Sequence, residues 1–177
     1  MGFIMKKLNF KKIVISILSV LLVISMSVTF AGCSKNTPKA VVDRYFDAMF
    51  VSFDTQEFID VMSPLRFEAD MKRSGVSEDK YEDSVDVLIY GVKQQLKNGG
   101  ITVKWSISDV NELDEHTFGH LKEHYSKEYD YNLKDAKLVR AEATQTSAEK
   151  TESTTFEFVV VKIDGKWYVD TVDNKQS

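Results

Sequence analysis

Three histidines are the residues whose type and spacing best suit chemistry. His116, His120 and His124 are all the histidines in the chain, and they recur at every fourth position. On a helix this spacing puts the imidazoles on one face, where an i, i+4 pair is a bidentate site for zinc, copper or nickel. The same face lies about 145° from the apolar residues of the segment, so it points to water. We favour a solvated helix face, with weak metal capture as the alternative.

The single cysteine, Cys33, follows a leader of two distinct parts. Residues 1–12 hold four lysines and no acid, and residues 13–31 carry no charge. This order is typical of a secretory signal peptide, although the apolar run is also long enough for an uncleaved membrane anchor. Ordinary secretion is a third possibility. One cysteine cannot form a disulfide within the chain, and a polar stretch follows it, so we interpret Cys33 as an attachment point.

The residues before Cys33 decide among these readings. Ala31-Gly32-Cys33 resembles the bacterial lipobox, Leu-Ala-Gly-Cys, with Phe30 in place of the usual leucine. The resemblance implies a diacylglycerol on the Cys33 sulfur and cleavage just before it. We expect no other cofactor. It divides the chain into a signal peptide (1–32), a lipidated cysteine with its tether (33–37) and one domain (38–177). The protein would then be anchored by lipid on the extracytoplasmic face of the cell membrane.

The charge of the remaining chain limits its partners. Without residues 1–32, 145 residues remain, with 19 basic against 27 acidic side chains and a net charge of −8. This length is enough for one domain with a core of its own. The negative charge argues against nucleic acid and against electrostatic binding to anionic lipids. A protein or small-molecule ligand remains open as the partner.

Helical patterns fill the first half of this domain. Pro38 stands at a plausible first turn, and Asp54 with Glu57 resembles a capping box for a helix to Met62. A further helix is expected from Ser63 to about Arg73. Ser77 is expected to cap the clearest helix, which ends at Asn98-Gly99-Gly100. The apolar stripe of that helix comprises Tyr81, Val85, Leu88, Ile89, Val92 and Leu96.

Strand patterns dominate the second half. Apolar and polar residues alternate over 101–109, where Trp105 is the largest apolar side chain. After a helix at about 114–129, strands are expected over 136–146, 155–163 and 166–172. Asp164-Gly165 predicts a tight hairpin turn between the last two. Helices gathered against one antiparallel sheet make the expected fold class α+β.

Two segments carry a resemblance to a known superfamily. The opening helix reads Val-Val-x-x-Tyr-Phe-x-Ala from Val41, and the end reads Asp-Gly-Lys-Trp-Tyr-Val from Asp164. Together with the element order over residues 38–173, they resemble the nuclear transport factor 2-like superfamily. More narrowly, they are similar to small lipoproteins of Gram-positive bacteria with such a domain. The resemblance implies a curved sheet wrapped around helices as a cone with an open end. The helix at 114–129 departs from the family pattern.

The superfamily includes isomerases and dehydratases that place an acid and a base in the cone. By side-chain direction, the residues of this chain expected to line such a pocket are Tyr45, Trp105, Asp109 and Arg140. No catalytic motif of those enzymes matches residue by residue, so we assign no catalytic residue. We therefore expect a membrane-anchored binding or interaction module. An isomerase or hydratase using the cone pocket is the alternative, along with weak metal capture by the histidines.

Overall fold

Helices form the first half of the domain and antiparallel strands the second. The computed structural model describes residues 36–175, so the expected leader and Cys33 lie outside the described residues. The α+β fold class is confirmed. The elements are α1 (Pro38–Phe50), α2 (Thr55–Val61), α3 (Pro64–Ser74), α4 (Glu78–Asn98), β1 (Thr102–Glu112), α5 (Glu115–Tyr129), β2 (Ala136–Thr146), β3 (Thr151–Ile163) and β4 (Lys166–Lys175).

Side-chain caps start three of the helices. Thr37 accepts a hydrogen bond from the Ala40 amide ahead of α1, and Asp54 accepts one from the Glu57 amide ahead of α2. Asp114 does the same for the Thr117 amide at the start of α5. These bonds satisfy amides that a helix end leaves without partners. Ser77 stands at the N-cap of α4 but makes no capping side-chain bond, contrary to the sequence prediction.

The four strands form one antiparallel sheet in chain order, β1-β2-β3-β4. Trp105 of β1 pairs with Ala143 of β2, and Ile107 pairs with Ala141, so the expected inward alternation of β1 is present. The register shifts once between β3 and β4: Val159 pairs with Thr171, while the next residue pairs with Val169. Asp170 is therefore the extra residue of a bulge, a feature that re-aims side chains.

Helices cover both faces of the sheet. Helices α1 and α2 lie over one face, where the first core cluster joins Val42 and Phe46 to Val139, Phe158 and Val160. Helix α5 covers the opposite face near the β3–β4 turn. The second cluster there contains Tyr125, Leu133, Ala136, Val161 and Ile163.

Helix α4 packs beside α1 through most of its predicted stripe. Val85, Ile89, Val92 and Leu96 are buried in one cluster with Met49 of α1. Leu88 is 44% exposed, so its assignment to the inward stripe was wrong. Within residues 36–175, no helix has the length and apolar character needed to cross a membrane.

Candidate functional site

The four residues predicted to line a pocket lie on two different faces of the sheet. Tyr45 and Trp105 pack on the face that α1 covers. Arg140 stands between Val139 and Ala141, both fully buried on that face, so its side chain points to the other one. Asp109 pairs with Arg140 across the strands, and both are exposed. The structure therefore brings Tyr45 and Trp105 together and separates them from Asp109 and Arg140.

Aromatic rings surround Tyr45 and Trp105. The Tyr45 ring lies 5.2 Å from the Phe58 ring and 5.3 Å from the Phe158 ring, measured between centroids. The Phe46 ring stacks on Trp105 at 5.4 Å with an interplanar angle of 15°. Burial raises the pKa of Tyr45 to about 12, so this phenol stays protonated near neutral pH. These residues pack as a core.

Trp105 also makes a polar contact that the sequence did not suggest. Its indole Nε1 donates a hydrogen bond of 2.8 Å to Oδ1 of Asp43 on α1. A carboxylate acceptor satisfies an indole N–H that would otherwise lose its water on folding. The bond ties β1 to α1 across 62 residues of chain.

A buried polar network joins three elements near the β4 bulge. The Tyr125 hydroxyl donates to Asp170 Oδ1 at 2.6 Å and lies 3.0 Å from the Ser63 hydroxyl. Since the tyrosine proton is directed to Asp170, Ser63 donates to the tyrosine oxygen. Arg66 Nη1 lies 3.4 Å from Asp170 Oδ2. Ser63, Tyr125 and Asp170 are all buried, which makes these contacts a clamp between the start of α3, α5 and β4.

Burial and the neighbouring Asp170 keep the Tyr125 hydroxyl protonated. Burial, followed by the neighbouring Asp170 carboxylate, raises the pKa of Tyr125 far above its ordinary value. Tyr125 is thus held as a hydrogen-bond donor. A buried carboxylate is costly unless it is paired and hydrogen-bonded, and Tyr125 and Arg66 supply those contacts.

A groove of about 640 Å³ lies at the end of the domain that carries the β3–β4 turn. We call it the hairpin groove. Its wall includes apolar side chains, among them Met62, Phe67 and Trp167, together with Tyr168. The charged residues that line it are Arg44, Asp60, Glu78, Glu82 and Lys166. Mixed apolar and charged walls suit a ligand with both kinds of surface.

The polar side chains of the hairpin groove differ in their partners. Arg44 is ion-paired with Glu57 of α2, and this hydrogen bond is the main cause that raises the pKa of Arg44. Burial and the charges of Asp164 and Asp60 raise the pKa of Tyr168. The groove therefore contains a neutral tyrosine hydroxyl beside carboxylates.

Asn36 fixes the entry of the chain to this same end. Its side-chain amide donates to the Gly165 carbonyl at 2.8 Å, and its Oδ1 accepts from the Trp167 amide at 3.0 Å. Gly165 and Asp164 both have positive φ, as the predicted tight turn requires. Asn36 also lines the hairpin groove. The start of the domain, the turn and the groove are thus one local structure.

A second, more apolar groove lies where α1 ends and β1 begins. It has a volume of about 460 Å³ and is lined by Phe53, Leu96 and Val103 among others. Lys93 places its ammonium 5.1 Å from the Phe53 ring centroid, a cation–π contact. Lys97 also lines this groove.

The three histidines are exposed but do not act as one set. Nε2 of His116 and Nε2 of His120 converge to 3.2 Å. His124 turns away, with its Nε2 3.3 Å from the Tyr129 hydroxyl. Among the described residues, no group of three or more His, Cys, Asp or Glu side chains is arranged to hold a metal ion. The structure therefore offers a pair of imidazoles rather than a three-histidine site.

Comparisons with known proteins yield solved structures only; no family model matches and no curated protein matches. One neighbour is an NTF-2-like protein of unknown function from Shewanella oneidensis MR-1. It has a TM-score of 0.42 and 13% identity, covering 77% of this chain and 93% of that one. Another is the intermembrane space region of the chloroplast protein ARC6, with a TM-score of 0.37 and 10% identity. That match covers 83% of this chain and 100% of the other.

Sequence reasoning missed the polar residues of both the network and the groove. Ser63 was assigned only to a helix start, and Asp170 only to a strand. Their partners lie 62 and 45 residues away from them, at Tyr125. The one available signal was a carboxylate inside an otherwise apolar strand pattern at Asp170.

Proposed function

We propose that this protein is an extracytoplasmic lipoprotein, anchored by a diacylglycerol on Cys33, whose domain binds a ligand or partner in the hairpin groove. The observation that carries the proposal is the basic and then uncharged leader that ends at Ala31-Gly32-Cys33. Two or three acyl chains anchor a protein firmly, since each buried methylene contributes about 0.8 kcal/mol. The groove supports the binding role because it combines apolar walls with charged groups.

An isomerase or hydratase remains the alternative function. Such an enzyme needs a general base within hydrogen-bond reach of a substrate in a cavity. Tyr45 packs between aromatic rings, and Tyr125 and Asp170 hydrogen-bond to each other. These contacts favour the binding module.

Replacing Cys33 by alanine tests the anchor. Cys33→Ala removes the sulfur that forms the thioether, so we expect complete loss of lipid labelling and of lipoprotein-type cleavage. The measurement is incorporation of radiolabelled palmitate together with the mass of the N-terminal peptide. Ser34→Ala, one residue further on, is the matched control and should label like the natural protein. Retained label on the Cys33→Ala protein would show that the anchor assignment is wrong.

Metal capture by His116 and His120 is a second candidate function. The specific observation that favours it is the 3.2 Å separation of the two Nε2 atoms. Two imidazole nitrogens that both bind zinc at about 2.0–2.1 Å lie a comparable distance apart. The site is exposed and lacks the oriented partners that strong sites use, so we expect weak binding.

Calorimetry with zinc at pH 7.5 distinguishes the His116–His120 pair from His124. His120→Ala should abolish any binding, whereas His124→Ala should leave it unchanged, because His124 faces Tyr129. Protons compete with zinc for the imidazole nitrogens, so binding should weaken as the solution is made more acidic. Equal loss in both variants would instead mean that the whole helix face binds zinc. No binding to the natural protein would leave the histidines as a solvated face.

A further inference from the structure

We propose that the tethered end of the domain, formed by Asn36 and the β3–β4 turn, docks on the lipid headgroups, so that the hairpin groove opens at the membrane surface. The partner of this end is the bilayer surface itself. The inference rests on the lipid anchor proposed above and adds an orientation to it.

Asn36 attaches the start of the domain to the β3–β4 turn. Two hydrogen bonds, to the Gly165 carbonyl and from the Trp167 amide, hold this side chain against the turn. The chain continues at once into α1, whose N-cap Thr37 is itself hydrogen-bonded. The point at which the tether meets the domain is therefore fixed at the turn.

The tether between Cys33 and Asn36 is short. Cys33 precedes Asn36 by three residues. A fully extended chain covers at most about 3.6 Å per residue, so the Cα atom of Asn36 lies within about 11 Å of that of Cys33. A lipidated Cys33 sits at the membrane surface. The turn and the hairpin groove, which Asn36 lines, must lie close to the headgroups.

The two turns at the ends of β3 lie far apart. Strand β3 runs for 13 residues between the turn at Asp164-Gly165 and the turn that contains Ala148. At about 3.3 Å per residue this separates the two turns by about 40 Å. The two ends of β3 are thus well separated markers of orientation.

The tethered end carries charged side chains. Lys39 and Lys166 are both exposed: Lys39 follows Asn36 by three residues, and Lys166 lines the hairpin groove with it, while Lys35 stands in the tether. Basic residues next to an anchor are attracted to anionic headgroups by about 1 kcal/mol each. The chain after residue 32 is acidic overall, with a net charge of −8, and the carboxylates of Asp60, Glu78 and Glu82 line the hairpin groove itself. The lysines nearest the tether give local attraction to anionic headgroups, while the short tether sets which end of the domain faces the membrane.

Fluorescence quenching on vesicles tests the orientation. The full lipidated protein is reconstituted into vesicles that contain anionic phospholipid and a quencher-bearing lipid. Because lipidation blocks Cys33, the only natural cysteine, an introduced cysteine is the single free thiol. A dye on Lys166→Cys should be quenched about fivefold more than a dye on Ala148→Cys, given their separation along β3. Equal quenching would mean that the domain lies flat, and the reverse order would mean that it is inverted; either overturns the proposal.

The contribution of Asn36 is tested separately. Asn36→Ala removes both hydrogen bonds to the hairpin, so the quenching ratio should fall to about twofold as the domain gains freedom about its tether. Asn111→Ala, an exposed asparagine on β1, is the matched control and should keep the full ratio. An unchanged quenching ratio in Asn36→Ala would show that the Asn36 hydrogen bonds do not fix the orientation of the domain. Failure of the anchor is a different result, since the natural protein would then neither carry lipid by mass spectrometry nor float with vesicles.

Discussion

Replacing Trp105 by alanine is expected to lower the free energy of unfolding by about 3 kcal/mol. Truncating a large aromatic residue in a core typically costs 3–5 kcal/mol, and Trp105 is only partly buried, which places it at the lower end. The variant loses the stack on Phe46 and the hydrogen bond to Asp43. Urea unfolding at pH 7 should show the change, and thermal melting should show a decrease of roughly 10 °C.

Two further variants separate the contributions to this loss of stability. Trp105→Phe keeps an aromatic ring against Phe46 but removes the indole N–H, so it should cost about 1 kcal/mol. Val87→Ala on α4 is the surface control, because Val87 is 71% exposed, and should change stability by less than about 0.5 kcal/mol. A loss below about 1 kcal/mol for Trp105→Ala would contradict the inward face of β1.

The local patterns of the sequence predicted most of the elements. Alternation over β1 correctly placed Trp105 inward, and Asp164-Gly165 correctly predicted the β3–β4 turn. Asp54 is confirmed as the N-cap of α2, but the capping box is incomplete, because the Glu57 side chain pairs with Arg44. Each of these features depends on residues a few positions apart, which is the range over which hydrophobic period and turn chemistry act.

The prediction for Leu88 was wrong for a physical reason. A stripe at helical spacing identifies the apolar side of a helix, but the width of the buried face depends on what packs against it. Helix α4 packs against α1 and α2 through Val85, Ile89 and Val92, and Leu88 lies outside this buried set. The limit of such a set cannot be located without the neighbouring helices.

The candidate site was beyond sequence reasoning because its parts meet only in the fold. The bulge at Asp170 turns a carboxylate toward Tyr125, yet nothing in the strand pattern marks the extra residue. In β1, Ile107 pairs with Ala141 but Asp109 pairs with Arg140, so Ser108 is the extra residue of a bulge that places Asp109 on the exposed face. Hydrogen bonds between distant segments, such as those of Asn36 to the β3–β4 turn, leave no periodic signal.

Removing the hydroxyl of Tyr125 should destabilise the domain by about 2–3 kcal/mol at pH 7. Tyr125→Phe keeps the ring, which is fully buried, but deletes the donor to Asp170. Hydrogen bonds to charged groups contribute about 1.5–3 kcal/mol, and the buried carboxylate would retain only the longer contact to Arg66. Tyr90→Phe is the matched control, because Tyr90 is 60% exposed, and should leave the free energy of unfolding unchanged.

The same variant has a predictable dependence on pH. The folded-state pKa of Tyr125 is raised above its unfolded value of about 10, so the folded state binds more protons above that pH. The stabilisation due to the protonated hydroxyl is therefore complete below about pH 10 and decreases as pH rises further. Tyr125→Phe lacks this titration, so the stability gap between the two proteins should narrow between pH 8 and 11. Urea unfolding at both pH values measures the gap. A constant gap would show that burial of the Tyr125 hydroxyl does not hold its proton, and the clamp between α3, α5 and β4 would need another explanation.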